Sequence, residues 1–218
     1  MSFSQEHVSE LACRAYAGDA GFPLVVERAA LLVIDMQDEF VRPGWTAYWV
    51  PAATCAVPRI RELITCCRQA GLPVIYTAFG STHRFLDRPR SGPLMPGRYA
   101  GREVNQWFVE TRIWEELAPQ ADDILLLKSS YGAFYDTPLE TILRNLGRDT
   151  VIICGTLTNF CCGVTARQAY ERGFYVVFGS DVTATDDPDL HEAELKVLRK
   201  GFARVLSGAE IAAALLPT

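Results

Sequence analysis

The chain is expected to fold as α/β, a single-domain sandwich in which helices cover both faces of a parallel sheet. Short apolar runs recur along it, each closed by glycine, aspartate, lysine or serine. Between them lie longer segments whose apolar residues follow a helical period. Strands alternating with helices are joined by right-handed crossovers, which lay the strands parallel and bury the sheet on both sides. A length of 218 residues suits one sizeable core better than two.

The elements follow in order. Gln5 to Tyr16 carries weak periodicity in Val8, Leu11, Ala12 and Ala15, and reads as a helix in an N-terminal extension (1–28) ahead of the main domain (29–218). RAALLVID is a short apolar run suited to a strand buried on both faces. ATCAVPRIRELITCCRQAG reads as a helix with an apolar stripe of Ile60, Leu63, Ile64 and Cys67, ended by Gly71. LPVIYTAF is the second strand. Residues 80–110 are rich in Gly, Pro and Arg and have no sustained period. They read as a long excursion of the kind that often carries function.

Regularity returns with the strand DDILLLK. TPLETILRNLG reads as a helix with Thr137 as N-cap, Pro138 in its first position, Glu140 completing a capping box and Gly147 at its end. DTVIICG is a strand and NFCCGVTARQAYERG a helix stopped by Gly173. FYVVFGSD is a strand, DPDLHEAELKVLRKG a helix with Leu190, Leu195 and Leu198 facing inward, ARVLS a short strand and GAEIAAALL a closing helix.

Composition bounds the function. Net charge is −5 and no Lys/Arg block exists, so neither a nucleic acid nor a membrane surface is an expected partner. Mean hydropathy is +0.08, and no apolar run reaches membrane-span length. The start lacks a basic region followed by an apolar core, and the seven cysteines contain no CxxC. Free thiols in the reducing cytoplasm are expected rather than a disulfide scaffold.

In a parallel α/β sheet the ligand sits beyond the carboxyl ends of the strands. Three reactive groups fall there. Asp35 ends the first strand, Lys128 ends ILLLK, and Cys161 and Cys162 follow the turn after VIIC. Taken singly, each has an ordinary reading as a cap, a solvated lysine or a small buried hydrophobe. Their shared edge gives them a chemistry. An isolated cysteine, with a pKa of about 8.5, is mostly protonated near neutrality. A helix N-terminus and a nearby lysine both favour the thiolate, and Asp35 is placed to take the proton. Backbone N–H groups at the turn suit an oxyanion hole. Helix phase selects between the cysteines. Cys162 shares an apolar stripe with Ala166, Ala169, Tyr170 and Gly173, whereas Cys161 aligns with Thr165 and Gln168. Cys161 is therefore the expected nucleophile and Cys162 a core residue.

LLVIDMQDEF, LLLKSSYGAFYDTPLE and GTLTNFCCGVTARQAYERGF together resemble the isochorismatase-like cysteine hydrolases, over about Ala29 to Ser207. The resemblance implies a Rossmann-like six-stranded parallel sheet and a Cys161–Asp35–Lys128 triad. It also implies a cis peptide at Thr156–Leu157 and an oxyanion hole from the N–H groups of Leu157 and Cys161. Homodimers or homotetramers are usual in the family. The implied reaction is attack of Cys161 on an amide or ureido carbonyl, loss of ammonia or an amine, and hydrolysis of the thioester. Nicotinamidases of the family carry a metal on an Asp-x-His motif and further histidines. With only His7, His83 and His191, this chain has no such motif, so no metal and no cofactor are expected and nicotinamidase is set aside. The retained Cys161 favours acyl transfer over vinyl ether cleavage of the isochorismatase type. A catalytically silent small-molecule binder and a thiol redox sensor built on Cys161–Cys162 are the readings from other classes. Candidate substrate-binding residues are Phe40, Trp45, Phe79, His83, Arg84, Phe134 and Asn159. Tyr48 and Trp49 extend the aromatic set, and Arg84, Arg88 and Arg90 lie in the long excursion.

Overall fold

Strands β1 (Ala29–Ile34), β2 (Val74–Phe79), β3 (Ile124–Lys128), β4 (Thr150–Thr156), β5 (Tyr175–Ala184) and β6 (Arg204–Leu206) form one sheet in the order β3-β2-β1-β4-β5-β6, all neighbours parallel. The computed structural model describes residues 20–80, 89 and 112–215. The expected helix of Gln5 to Tyr16 and the residues His83, Arg84, Arg88 and Arg90 lie outside them. No helix among the described residues is long and apolar enough to cross a membrane.

Helices α1 (Asp38–Val41), α2 (Pro51–Gln69), α3 (Leu139–Asn145), α4 (Gly163–Glu171), α5 (Pro188–Gly201) and α6 (Gly208–Leu215) complete the layers. Strand β1 shows why its apolar run is unbroken. Ala29, Leu31 and Val33 enter one core with residues of α2 and α6, while Ala30, Leu32 and Ile34 enter the other with residues of α3, α4 and α5. Successive side chains point to opposite faces, so a strand covered twice must be apolar at every position. The order of strands reverses between β1 and β4, which opens a crevice beyond their carboxyl ends.

Several local expectations are corrected. Helix α3 begins at Leu139 with Pro138 in the cap position. Thr137 donates to the Ala133 carbonyl and accepts from the Leu139 N–H, and Glu140 pairs with Arg144 and Arg172 instead of closing a box. Leu190 is exposed while Leu195 and Leu198 are buried, because five residues turn a helix about 140° past a full turn. Tyr170 is also exposed, its ring edge-on to Phe202 at 5.2 Å. The segment Thr158–Cys162 is a π-helical turn ahead of α4, with the Cys162 N–H bonded to the Leu157 carbonyl at 3.1 Å. Strand β3 forms one edge of the sheet, and its Leu125 and Leu127 are exposed.

Gly155 is the backbone position on which the central crevice depends. It has φ +119°, and a Cβ there would stand 2.1 Å from the Ile34 carbonyl oxygen of the adjacent strand. Beside it the β4–β5 register jumps from Ile153↔Phe178 to Gly155↔Thr183, so β5 carries extra residues. That bulge is anchored by three helices. The Asp181 carboxylate accepts the Gly208 N–H of α6, its carbonyl accepts from Arg59 of α2, and the Ser180 carbonyl lies 3.0 Å from Nε2 of His191 in α5.

Candidate active site

Asp35 leaves β1 with φ 49°, a left-handed turn that aspartate tolerates better than most residues. Thr77 on β2 fixes it: the Asp35 N–H approaches Thr77 Oγ1 at 3.2 Å, and the Thr77 hydroxyl donates to Asp35 Oδ1 at 2.6 Å. Oδ2 faces Lys128 Nζ at 2.7 Å, with both side chains fully buried. Lys128 comes from β3, two strands from β1, a span of about 10 Å that only a long side chain bridges. Its ammonium also donates to the Ser130 carbonyl at 2.9 Å and stands 4.9 Å from the centre of the Phe79 ring. Gln37 ties the same corner together, accepting the Phe79 N–H at 2.6 Å and donating to its carbonyl at 3.1 Å.

Cys161 arrives from the other side of the crevice. After Gly155 the Thr156–Leu157 peptide is cis, and the π turn follows. Thr165, one turn on, donates to the Cys161 carbonyl at 2.6 Å and accepts the Ala133 N–H at 2.9 Å, joining the turn to the chain that follows Lys128. The Cys161 sulfur lies close enough to Asp35 and Lys128 for both of their charges to act on its proton. The three groups expected from the strand ends thus share one buried corner, Asp35 and Lys128 as an ion pair and Cys161 beside them.

Burial sets the charge state of Cys161. Burial pushes the Cys161 thiol up to about 12; the Lys128 ammonium pulls down, and Asp35 pushes up again. Desolvation outweighs the pull of the lysine, so the resting group is a thiol, with Asp35 placed to take its proton. For Lys128 the balance is reversed. Burial alone would lower its pKa, but Asp35 and then Cys161 raise it, and it stays an ammonium.

Above these groups lies a cavity of about 310 Å³, lined by Phe40, Ala47, Tyr48, Trp49, Val50, Phe79, Tyr131, Leu157, Phe160, Cys161 and Asp186. Phe40 and Phe79 stand where the sequence places them, and Tyr48 and Trp49 join them. Trp45 does not line the cavity; it is 37% exposed under the Arg42 guanidinium. Phe134 does not either; its ring packs in the core against Phe174 at 5.6 Å, because the Gln168 side chain holds its N–H on the α4 face. Asn159 sits behind the lining, 2.7 Å from Thr185 Oγ1. Cys162 is fully buried against Ala166 and Ala169, and both vicinal cysteines are free thiols.

Sequence reasoning missed Thr77, Tyr131, Phe160, Asp186 and His191. Thr77 had a signal, a hydroxyl inside the apolar run VIYTAF. His191 also had one, a lone histidine on an amphipathic helix. It spans from the Thr158 hydroxyl (2.9 Å from Nδ1) to the Ser180 carbonyl, and so locks the π turn to the β5 bulge. The remaining three depend on which loops meet above the crevice, a tertiary matter.

A family model described as the isochorismatase domain matches residues 29–210. The chain belongs to the isochorismatase family of hydrolases. Among curated relatives it is 35% identical over 181 residues to "Nicotinamidase 3" of Arabidopsis thaliana, covering 80% of this chain and 82% of that protein. It is 32% identical to "Enterobactin synthase component B" of Escherichia coli (strain K12), covering 88% of this chain but 65% of that longer protein. Identity to "Ureidoacrylate amidohydrolase RutB" of Methylorubrum extorquens is 28%, covering 87% and 83%. Among solved structures, a cysteine hydrolase from Pseudomonas syringae pv. phaseolicola 1448A aligns with a TM-score of 0.79 at 30% identity, over 91% of this chain and 97% of that one. N-carbamoylsarcosine amidase from Thermoplasma acidophilum aligns at 0.66 and 29%, over 83% and 96%. The Rossmann-like order of six parallel strands is shared with this family.

Proposed function

We propose that the chain is a cysteine-dependent hydrolase of the C–N bond in a small amide, carbamoyl or ureido compound, acting through a thioester and releasing ammonia or an amine. The observation that carries the reading is the fully buried Asp35–Lys128 ion pair with the cavity-lining Cys161 thiol beside it.

In the proposed reaction, Asp35 takes the thiol proton as sulfur attacks the carbonyl carbon. The oxyanion is received by the N–H groups of Leu157 and Cys161, interactions of the kind whose loss typically costs about 3–4 kcal/mol of transition-state stabilisation. Asp35 then returns the proton to the leaving nitrogen, the C–N bond breaks and a thioester remains. Water adds to the thioester while Asp35 accepts a proton, and collapse expels the sulfur, which recovers that proton. Lys128 stays charged throughout and faces the Asp35 carboxylate between proton transfers. The high resting pKa of the thiol makes proton transfer part of the attack rather than a prior equilibrium.

The similarity to proteins named nicotinamidase, ureidoacrylate amidohydrolase and carbamoylsarcosine amidase supports the C–N bond as target. It also returns nicotinamide to consideration, which the missing Asp-x-His motif and the few histidines had set aside. The test is ammonia release by reduced protein from a panel of linear amides, ureido acids and nicotinamide, with isochorismate alongside. Turnover of an amide that is lost in Cys161→Ala is the expected result. Hydrolysis of isochorismate alone, undiminished in Cys161→Ala, would replace this reading with the vinyl ether reaction.

A further inference from the structure

Asp186 is the one charged side chain among the described residues that line the cavity. It follows β5, on the stretch that the bulge carries over the crevice. The walls around it are aromatic, including Tyr48, Trp49 and Phe160. Aromatic faces and a carboxylate attract the same ligand charge, and both disfavour an anion.

The carboxylate is held. Thr185 Oγ1 lies 2.7 Å from Asn159 Oδ1 and 3.0 Å from Asp186 Oδ1. A hydroxyl has a single hydrogen and cannot donate to both. The two ends of an amide are not distinguished by shape. With the Asn159 amide turned, its NH2 donates to Thr185 and the Thr185 hydroxyl donates to Asp186, which satisfies both contacts. The relay occupies one carboxylate oxygen, and among the described residues no cationic side chain pairs with Asp186.

We propose that Asp186 selects substrates carrying a positive charge beside the scissile amide, an ammonium or quaternary ammonium group seated among the aromatic rings, with Asn159 as its positioning residue acting through Thr185. The selectivity rests on the hydrolase reading above, and it deepens that reading by naming a substrate class.

Betaine amide and tert-butylacetamide test it, because they share one shape and differ only in a quaternary nitrogen replacing a quaternary carbon. Succinamate supplies the anionic comparison. Turnover is measured with the wild type, and binding by calorimetry with Cys161→Ala, which separates affinity from chemistry. The expected result is a preference of about fivefold or more for betaine amide over its neutral twin, weakening with added salt. Asp186→Asn, built on Cys161→Ala, should abolish the preference of betaine amide over tert-butylacetamide. Asn159→Ala should reduce the preference in the same way, which a merely structural role would not do. Equal affinity for the pair, no binding by either, or tightest binding of succinamate overturns the proposal. If the wild type turns over no amide while Cys161→Ala keeps the cation preference, the hydrolase reading fails and the selectivity stands.

Discussion

Replacing Lys128 with methionine keeps most of the buried stem and deletes the ammonium. Asp35 would then sit fully buried with the Thr77 hydroxyl as its remaining side-chain hydrogen-bond donor. Breaking a buried ion pair by removing one partner typically costs about 3–5 kcal/mol, since the other charge stays desolvated. The Ser130 carbonyl loses its donor and the Phe79 ring its cation, each worth about 1 kcal/mol. Asp35 can reduce the total by taking up a proton, so the net expectation is a loss of about 4 kcal/mol. That is a large part of the total stability of a domain, about 5–15 kcal/mol, and urea unfolding followed by circular dichroism would read it. A protonated Asp35 is no base, so activity should fall at least about a hundredfold. Adding Asp35→Asn removes the stranded charge. The double variant should regain stability relative to Lys128→Met while staying inactive. A loss below about 1 kcal/mol for Lys128→Met, the value of a solvated pair, would refute the description of a desolvated couple.

Other outcomes follow from the same geometry. Gly155→Ala drives a Cβ into the Ile34 carbonyl at a backbone angle closed to side chains, and should cost at least about 3 kcal/mol in urea unfolding; native-like stability would contradict that. Cys162→Ala trims a core side chain and should lower stability by about 1 kcal/mol without changing kcat, whereas a dead but folded variant would move the nucleophile to Cys162. Burial pushes the Cys67 and Cys161 thiols up to about 12, well above an isolated cysteine, so between the two the unfolded chain binds fewer protons than the folded one. Stability should therefore fall as pH rises through that window, by up to about 1.4 kcal/mol per pH unit for each thiol, seen as a decline in urea midpoint. The same burial should leave Cys161 slow towards iodoacetamide at neutral pH, measured by peptide mass against exposed Cys55.

The sheet was legible because burial on both faces leaves no polar position to confuse the pattern, as in Ala29–Ile34. The reactive groups were legible because a parallel sheet gathers its strand ends, and Asp35, Lys128 and Cys161 each stand at or just past one. What stayed hidden depends on contacts distant in sequence. No local signal says that Thr77 would hold Asp35, that Tyr131 and Phe160 would wall the cavity, or that Phe134 would turn into the core. Helix phase chose Cys161 over Cys162, yet it placed Tyr170 and Leu190 inside because it assumed a full apolar stripe where the helix edge meets solvent. The depth of burial was hidden for a related reason: sequence shows the neighbours that stabilise a thiolate but not the desolvation that opposes it.

The most direct test of the account is to trap the acyl-enzyme. The protein is mixed with the amide that it turns over fastest, quenched in acid during steady state, and measured as intact mass and as peptides. The account predicts a mass increase equal to the acyl group, located on Cys161, released by hydroxylamine and absent from Cys161→Ala. Turnover that continues with no adduct, or an adduct carried by Cys162, would contradict it.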